Sequence, residues 1–372
     1  MSIEFENSDK NVQPEPDDGD VMEVIEGQEL VMILSRYEIG AIQRIKDYKK
    51  GSRSAPKLIV ESTNNRYLLK RRASGRDDID RVIFSHTVQK KLGEHRFPVA
   101  GLVETVDGKT LVEKDGRIYE LFNFINGHRF DKSKQAAAES GRVLAHCHDL
   151  LREFSEEPAV KKTSFHQIET TKKVLSELTG VLSEHEHASK LEGMDDTIAF
   201  ISEIFDRAKF AADSVGFSSL PTSVVHGDWH PGNMLYRDGE IVAVIDFDSL
   251  RVAQRITDIA NGALQFSMRM GIDDVNRWPD SFRGNTIYSM VQAYNAFTMS
   301  PLLPSELSVI PPLMKEALVV ESVFHIHRTG SFGKILGSDF LRMVERKLRW
   351  IDEKSERIIE VVQPPKSGGD SF

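Results

Sequence analysis

One short stretch of the chain gathers the residue types that phosphoryl transfer needs. It reads His226-Gly227-Asp228-Trp229-His230-Pro231-Gly232-Asn233, followed by Ile245-Asp246-Phe247-Asp248, with Asp246 13 residues beyond Asn233. Moving a phosphoryl group onto a hydroxyl takes a carboxylate that orients the hydroxyl and accepts its proton. It also takes oxygen ligands for the magnesium that bridges the phosphates. Gly227, Pro231 and Gly232 keep the first segment out of helix. Met234-Leu235-Tyr236 and Ile241-Val242-Ala243-Val244-Ile245 then read as two short strands joined at Asp238-Gly239. An antiparallel return brings Asp246 back toward Asn233, so one hard cation can meet a carboxylate and an amide oxygen while Asp228 faces an acceptor.

The histidines have plainer readings. His226 and His230 are four apart, but no helix fits there, so His226 is expected to be structural and His230 to line the site. The pairs His146/His148, His185/His187 and His325/His327 are each two apart, which on a helix points the rings to different faces; they read as core or surface residues. Cys147 sits in an Ala-Leu-rich helical stretch and reads as an inert packed thiol. Asp248 either adds charge near the cation or caps its loop.

Together these residues resemble the active site of the aminoglycoside phosphotransferase and choline kinase superfamily, relatives of the eukaryotic protein kinases. The pattern His-Gly-Asp-x-His-x-x-Asn followed by Ile-Asp-Phe/Trp is matched at every defining position. The resemblance implies an ATP-dependent phosphotransferase in which Asp228 is the catalytic base and Asn233 and Asp246 hold magnesium. Thr257-Asp258-Ile259-Ala260 resembles the family's Asp-Leu-Ala segment, whose Asp braces the catalytic loop. Lys70, at the end of Arg66-Tyr67-Leu68-Leu69, resembles the lysine that holds the α- and β-phosphates; Arg71 and Arg72 are the alternatives beside it. Gly51-Ser52-Arg53-Ser54 is a candidate loop over the phosphates. Phe122-Asn123-Phe124-Ile125-Asn126-Gly127 resembles the segment between lobes, which implies backbone contacts from Asn123 and Ile125 to adenine; a strand end followed by a turn makes the same demands on sequence. One departure stands out. Kinase-like folds pair the lysine with a glutamate on the following helix, yet no carboxylate lies between Arg81 and Gly93, where His86 and Gln89 stand instead.

The surrounding elements suit such a site. Residues 1–20 are acidic and broken by Pro14 and Pro16, and residues 363–372 are rich in Pro and Gly; both read as disordered tails. Residues 21–125 read as a small strand-rich nucleotide-binding lobe. Its hairpins are 57–61 with 67–70 and 110–112 with 118–121, and a helix runs from about 77 to Gly93. Residues 126–362 read as a larger helical catalytic and substrate lobe, with helices at 136–154, 163–189 and 195–213, then helix again after the hairpin. The fold class is therefore α+β, with a small β-rich N-terminal lobe and a larger, mainly helical C-terminal lobe, and the resemblance implies that this is a bilobal protein-kinase-like fold.

Composition narrows the partners. A net charge of −9 argues against nucleic acid. No stretch approaches the roughly 20 apolar residues of a membrane span, and the acidic N-terminus is no signal peptide. A single cysteine fits a reducing compartment, so the expected location is cytoplasmic. Three functional classes compete: a small-molecule kinase, a protein kinase, and a catalytically dead binding module. Asp246-Phe247-Asp248 lacks the glycine of Asp-Phe-Gly and no activation segment precedes Asp258, against the second; no site residue is missing, against the third. From Gly262 to Val362 there are 12 Asp/Glu and 12 Lys/Arg, so nothing marks a polycation site. The expected acceptor is a neutral or zwitterionic hydroxyl compound such as homoserine, a sugar or an amino alcohol. Trp278, Tyr288, Tyr294 and Phe297 are candidates for an aromatic box around a quaternary ammonium, though at helical spacing they also read as core.

Overall fold

The computed structural model describes residues 24–48, 55–154, 164–271 and 274–363. The N-terminal acidic stretch, the candidate phosphate loop at 51–54 and the stretch from 364 lie outside the described residues.

Alternation of apolar and polar residues builds the first sheet. Strands β1 (Ile42–Asp47), β2 (Lys57–Ser62), β3 (Arg66–Arg71), β4 (Val112–Lys114) and β5 (Arg117–Asn123) form an antiparallel sheet in the order β1-β2-β3-β5-β4. Leu58, Val60, Tyr67, Leu69, Tyr119 and Leu121 bury one face against Ile33, Leu34 and Tyr37, which helix α1 (Gly27–Leu34) and the turn after it supply. Because side chains alternate along a strand, Lys70 and Glu120 fall on the opposite face.

Helix α2 (Ile79–Glu94) lies over that second face. Asp78 caps its start by accepting from the Arg81 N–H, and it runs one residue past Gly93, where the sequence predicted a stop. Its apolar residues divide: Val82 packs with Leu111 and Ile118 of the sheet lobe, whereas Phe84, Val88 and Leu92 join the large core of the helical lobe.

That larger lobe contains α3 (Lys134–Leu151), α4 (Thr171–His185), α5 (Met194–Ser214), α6 (Ile256–Ser267), α7 (Gly284–Phe297), α8 (Pro304–Ser308), α9 (Ile310–Thr329) and α10 (Gly337–Val362). Helix α4 starts later than the apolar spacing predicted. Ser164 and Gln167 cap a single 3-10 turn there, and Ile168 stays outside the helix. Helices α3 and α7 approach closely at Gly141, where an added Cβ would sit 2.1 Å from the Met290 carbonyl oxygen.

Four short strands interrupt the helices: β6 (Thr222–Val225), β7 (Met234–Arg237), β8 (Glu240–Val244) and β9 (Arg251–Gln254). The hairpin β7-β8 is as predicted. The partner of β6 is β9, which the sequence reading had assigned to helix. A last hairpin, β10 (Ser331–Phe332) with β11 (Ile335–Leu336), separates α9 from α10. Main-chain bonds tie the β7-β8 hairpin to residues beside the first lobe: Val244 donates to Pro98, and His128 and Tyr236 exchange both bonds. No described helix is long and apolar enough to cross a membrane.

Candidate active site

The site begins where β6 runs into His226. Asp258, in the first turn of α6 and fully buried, accepts the main-chain N–H groups of His226 at 2.7 Å and Gly227 at 2.9 Å. His148 of α3 donates from Nε2 to the same carboxylate at 3.1 Å and accepts at Nδ1 from the Tyr294 hydroxyl of α7 at 3.0 Å. His148 thus belongs to the core, as its spacing suggested, but it also helps hold the loop that starts at His226. Enclosure opposes the Asp258 charge, yet these donors hold its carboxyl below the usual range.

Gly227 has φ +77°, and an added Cβ would sit 2.3 Å from the Ser249 carbonyl oxygen, so only glycine fits. On the far side of Asp228, Trp229 is fully buried and donates from Nε1 to the Ser140 hydroxyl at 2.9 Å. With both neighbours anchored, Asp228 is held at the cleft between them. His226 is buried and donates to the Ile245 carbonyl at 3.2 Å.

Pro231–Asn233 forms a single 3-10 turn capped by the His230 ring, whose Nδ1 accepts from the Gly232 N–H at 3.0 Å. That bond leaves the proton on Nε2, which lies 3.5 Å from Asp228 Oδ2. Asn233 donates from Nδ2 to both the Asp228 carbonyl and Oδ2, each at 3.0 Å. Its amide oxygen is then the atom with which it can meet a cation. The cleft's enclosure works against a charge on Asp228, but His230, His226 and Asn233 outweigh it and hold the carboxyl well below the ordinary range.

Asp246, two residues past the end of β8, takes the left-handed conformation, φ 65°, which Asp tolerates better than most residues. Its side chain is exposed, and the preceding Ile245 N–H donates to the Asn233 carbonyl at 3.0 Å. Lys70 Nζ reaches across from β3 to within 3.7 Å of Asp246 Oδ1 and donates to Asp248 Oδ2 at 2.8 Å. Asp228 thus bonds Asn233, Asp246 pairs with Lys70, and the Ile245–Asn233 main-chain bond joins the two pairs. Among the described residues no cluster of three His, Cys, Asp or Glu has metal-ligand placement. Asn233 and Asp246 each offer a side-chain oxygen, the ligand type magnesium takes in small number beside phosphates and water.

The two arginines after Lys70 separate from it. Arg71 points to the other side of the sheet and pairs with Glu29 at 3.0 Å. Arg72 is buried between Glu120 at 2.8 Å and Asp248 at 2.9 Å. Asp248 is thus an ion-pair partner of Lys70 and Arg72, a role the sequence left open. Enclosure opposes the charge on Lys70, but Asp248, Asp246 and Glu120 hold its ammonium well above the usual range.

At the edge between lobes, Asn123 ends β5 and its N–H donates to the Gly101 carbonyl at 2.8 Å. Any main-chain contact from Asn123 to a base edge would have to use its carbonyl. Ile125 follows, half-buried. The aromatic box does not form: Tyr294 is buried while Tyr288 and Phe297 are exposed, as expected of residues on different faces of α7, and Trp278 is buried in extended chain before that helix. Cys147 is buried, and burial pushes its thiol well up, so it is unreactive. One residue was missed altogether. Glu321 is exposed on α9, accepts from the Gln265 amide of α6, and interacts through space with Asp228 and His230. Although the residue as a whole is exposed, burial of its carboxyl and the Asp228 charge push that group up to about 7.

Comparison with known proteins sets the geometry in context. The family described as Phosphotransferase enzyme family matches residues 45–302. A protein named Serine/threonine protein kinase RdoA from Salmonella typhimurium (strain LT2) is 23% identical over 292 residues, covering 75% of this chain and 78% of the relative. An aminoglycoside phosphotransferase structure from Alicyclobacillus acidocaldarius superposes with a TM-score of 0.63 at 15% identity, over 92% of this chain and 98% of the other. The amicoumacin kinase hAmiN in complex with AMP-PNP, Ca2+ and Ami superposes with a TM-score of 0.60 at 16% identity, over 88% and 96%. The bilobal kinase-like α+β fold is common to this chain and these two solved structures.

Proposed function

Because the chain belongs to the phosphotransferase enzyme family, we propose that it is an ATP- and magnesium-dependent kinase that transfers the γ-phosphate to a hydroxyl of a small molecule. The observation that carries this reading is the setting of Asp228. An ionised carboxylate is fixed between Asn233 and His230, and Asp246 and Lys70 lie in the same cleft, 3.7 Å from each other.

In this reading the acceptor hydroxyl donates to Asp228, which orients it and takes its proton as the new P–O bond forms and the bond from the γ-phosphorus to the bridging oxygen breaks, releasing ADP. A carboxylate held below the ordinary range is a weak base. That suits a loose transition state, where the proton leaves late and orientation matters most. Asn233 and Asp246 would hold magnesium, which supplies charge neutralisation along the phosphates. Lys70 would hold the α- and β-phosphates, exchanging its contact with Asp248 for them. Asn123, through its carbonyl, and Ile125 would border the adenine. Glu321 interacts through space with Asp228 and His230, and its carboxylate would favour an acceptor that carries an amine, such as an amino alcohol.

The name of the Salmonella relative favours a second reading, a Ser/Thr protein kinase. Against it, only a 3-10 turn, Phe247–Ser249, and β9 lie between Asp246 and α6, which leaves no activation segment. One experiment addresses both. ADP release is measured with a panel of hydroxylated amines and sugars and with Ser/Thr peptides, for the wild-type chain and for Asp228→Asn. The variant should retain ATP binding and lose at least about a hundredfold in transfer; unchanged turnover would show that the base is misassigned.

A further inference from the structure

Lys70 needs a partner that keeps its ammonium aimed at phosphate, and helix α2 carries no carboxylate between Arg81 and Gly93. The strand next to it does. Lys70 and Glu120 are directly opposite in the β3-β5 ladder, on the face turned away from the sheet lobe's apolar core. Glu120 is fully buried. Its Oε1 accepts from Arg72 Nη2 at 2.8 Å and from His86 Nε2 of α2 at 2.6 Å, and His86 Nδ1 accepts from the Thr110 hydroxyl at 2.7 Å. Its Oε2 has no hydrogen-bond partner among the described residues. A buried carboxylate oxygen left unpaired is costly, and native interiors keep such atoms rarely.

We propose that Glu120 is the positioning residue for Lys70, supplying from the neighbouring strand the carboxylate that kinase-like folds otherwise draw from the helix. One oxygen is fixed by Arg72 and His86, and the free Oε2 receives the Lys70 ammonium when phosphates draw it off Asp248. Arg72 bridges Glu120 and Asp248, so Asp248 keeps a cation when Lys70 leaves. His86 stands where the helix glutamate would be and bonds the strand glutamate instead. The inference rests on the kinase reading above.

A double-mutant cycle tests it. The dissociation constant of magnesium-ATP is measured by titration calorimetry for wild type, Lys70→Ala, Glu120→Gln and the double variant, each checked for cooperative thermal unfolding. If Glu120 acts through Lys70, each single change weakens binding about tenfold and the double variant binds no worse than Lys70→Ala. Should Glu120→Gln not fold, Glu120→Asp keeps the charge and retracts it by one methylene; it should weaken binding only when Lys70 is present. Glu120 changes that weaken binding equally in both backgrounds, or not at all while Lys70→Ala does, overturn the proposal and leave the kinase reading standing. A wild-type chain that binds no magnesium-ATP overturns both.

Discussion

Asp258 offers the sharpest test of how the loop holds Asp228. Its two oxygens accept the His226 and Gly227 N–H groups at 2.7 and 2.9 Å, and His148 adds a third donor. Asp258→Asn replaces one acceptor with an NH2 group, so one buried N–H faces another donor. A hydrogen bond to a charged group contributes about 1.5–3 kcal/mol and a buried orphan costs about 1–3 kcal/mol. Relief of the charge burial offsets part of this, giving a net loss of about 3 kcal/mol. The loop should also shift, and a displacement near 1 Å at a catalytic group costs about a hundredfold in rate. The acid limb gives an independent signature. The folded carboxyl is depressed, so its contribution is full above the unfolded value and fades as pH falls through the folded one. That part of the acid destabilisation should vanish in the variant. Urea titration at several pH values and steady-state ADP release measure both effects. A variant with the wild-type midpoint and wild-type turnover would refute the bracing argument.

Gly227→Ala meets both a positive φ and a main-chain carbonyl 2.3 Å from the new Cβ. It should lower stability by about 2–4 kcal/mol in denaturant titration, and a loss under 1 kcal/mol would mean the loop relaxes freely. Glu321 loses its charge as pH falls through about 7. The KM for an amine-bearing acceptor should therefore rise below pH 7 in the wild type and stay flat in Glu321→Gln; parallel profiles would remove Glu321 from the acceptor site. Lys347 is fully buried, donates to the Arg269 and Pro279 carbonyls at 3.0 Å each, and is pushed down to about 8 by burial. Between pH 8 and 10 the unfolded chain binds the extra proton, so wild-type stability should rise relative to Lys347→Met by up to about 3 kcal/mol. A constant difference over that range would contradict the burial argument.

What the sequence disclosed follows the range of the interactions. Asp228, Asn233 and Asp246 sit within 19 residues of one another on a loop and a hairpin, so turn chemistry alone brings them together. The capped start of α2 and the pairing of β2 with β3 were legible for the same reason. Strand β9 was not, because its partner β6 lies beyond an intervening hairpin and its four residues have no helix-breaking signal of their own. The ion pairs of Lys70, Arg72, Glu120, His86 and Asp248 draw on β3, β5, α2 and the turn after β8. No local pattern announces a meeting of that kind. The missing helix glutamate was visible; that a strand carboxylate lies opposite the lysine required the register. Alternation in Tyr119-Glu120-Leu121, with a carboxylate between two core residues, is the signal that was available for it.

The charges around Lys70 also constrain which form of nucleotide the cleft can accept. Asp246, Asp248 and Glu120 supply three carboxylates against the two fixed cations Lys70 and Arg72, so this group carries one excess negative charge. A bare triphosphate would bring further negative charge into a partly enclosed cleft, where screening by solvent is weak. The protein's own groups therefore favour a nucleotide whose charge is already reduced by a divalent cation. Asp246, the exposed carboxylate of the three, is the one placed to meet that cation. Asp248 stays with Arg72, and Lys70 is the group free to change partners. The cation requirement and the partner exchange of Lys70 proposed above would thus have a single origin in the surplus of carboxylates over cations.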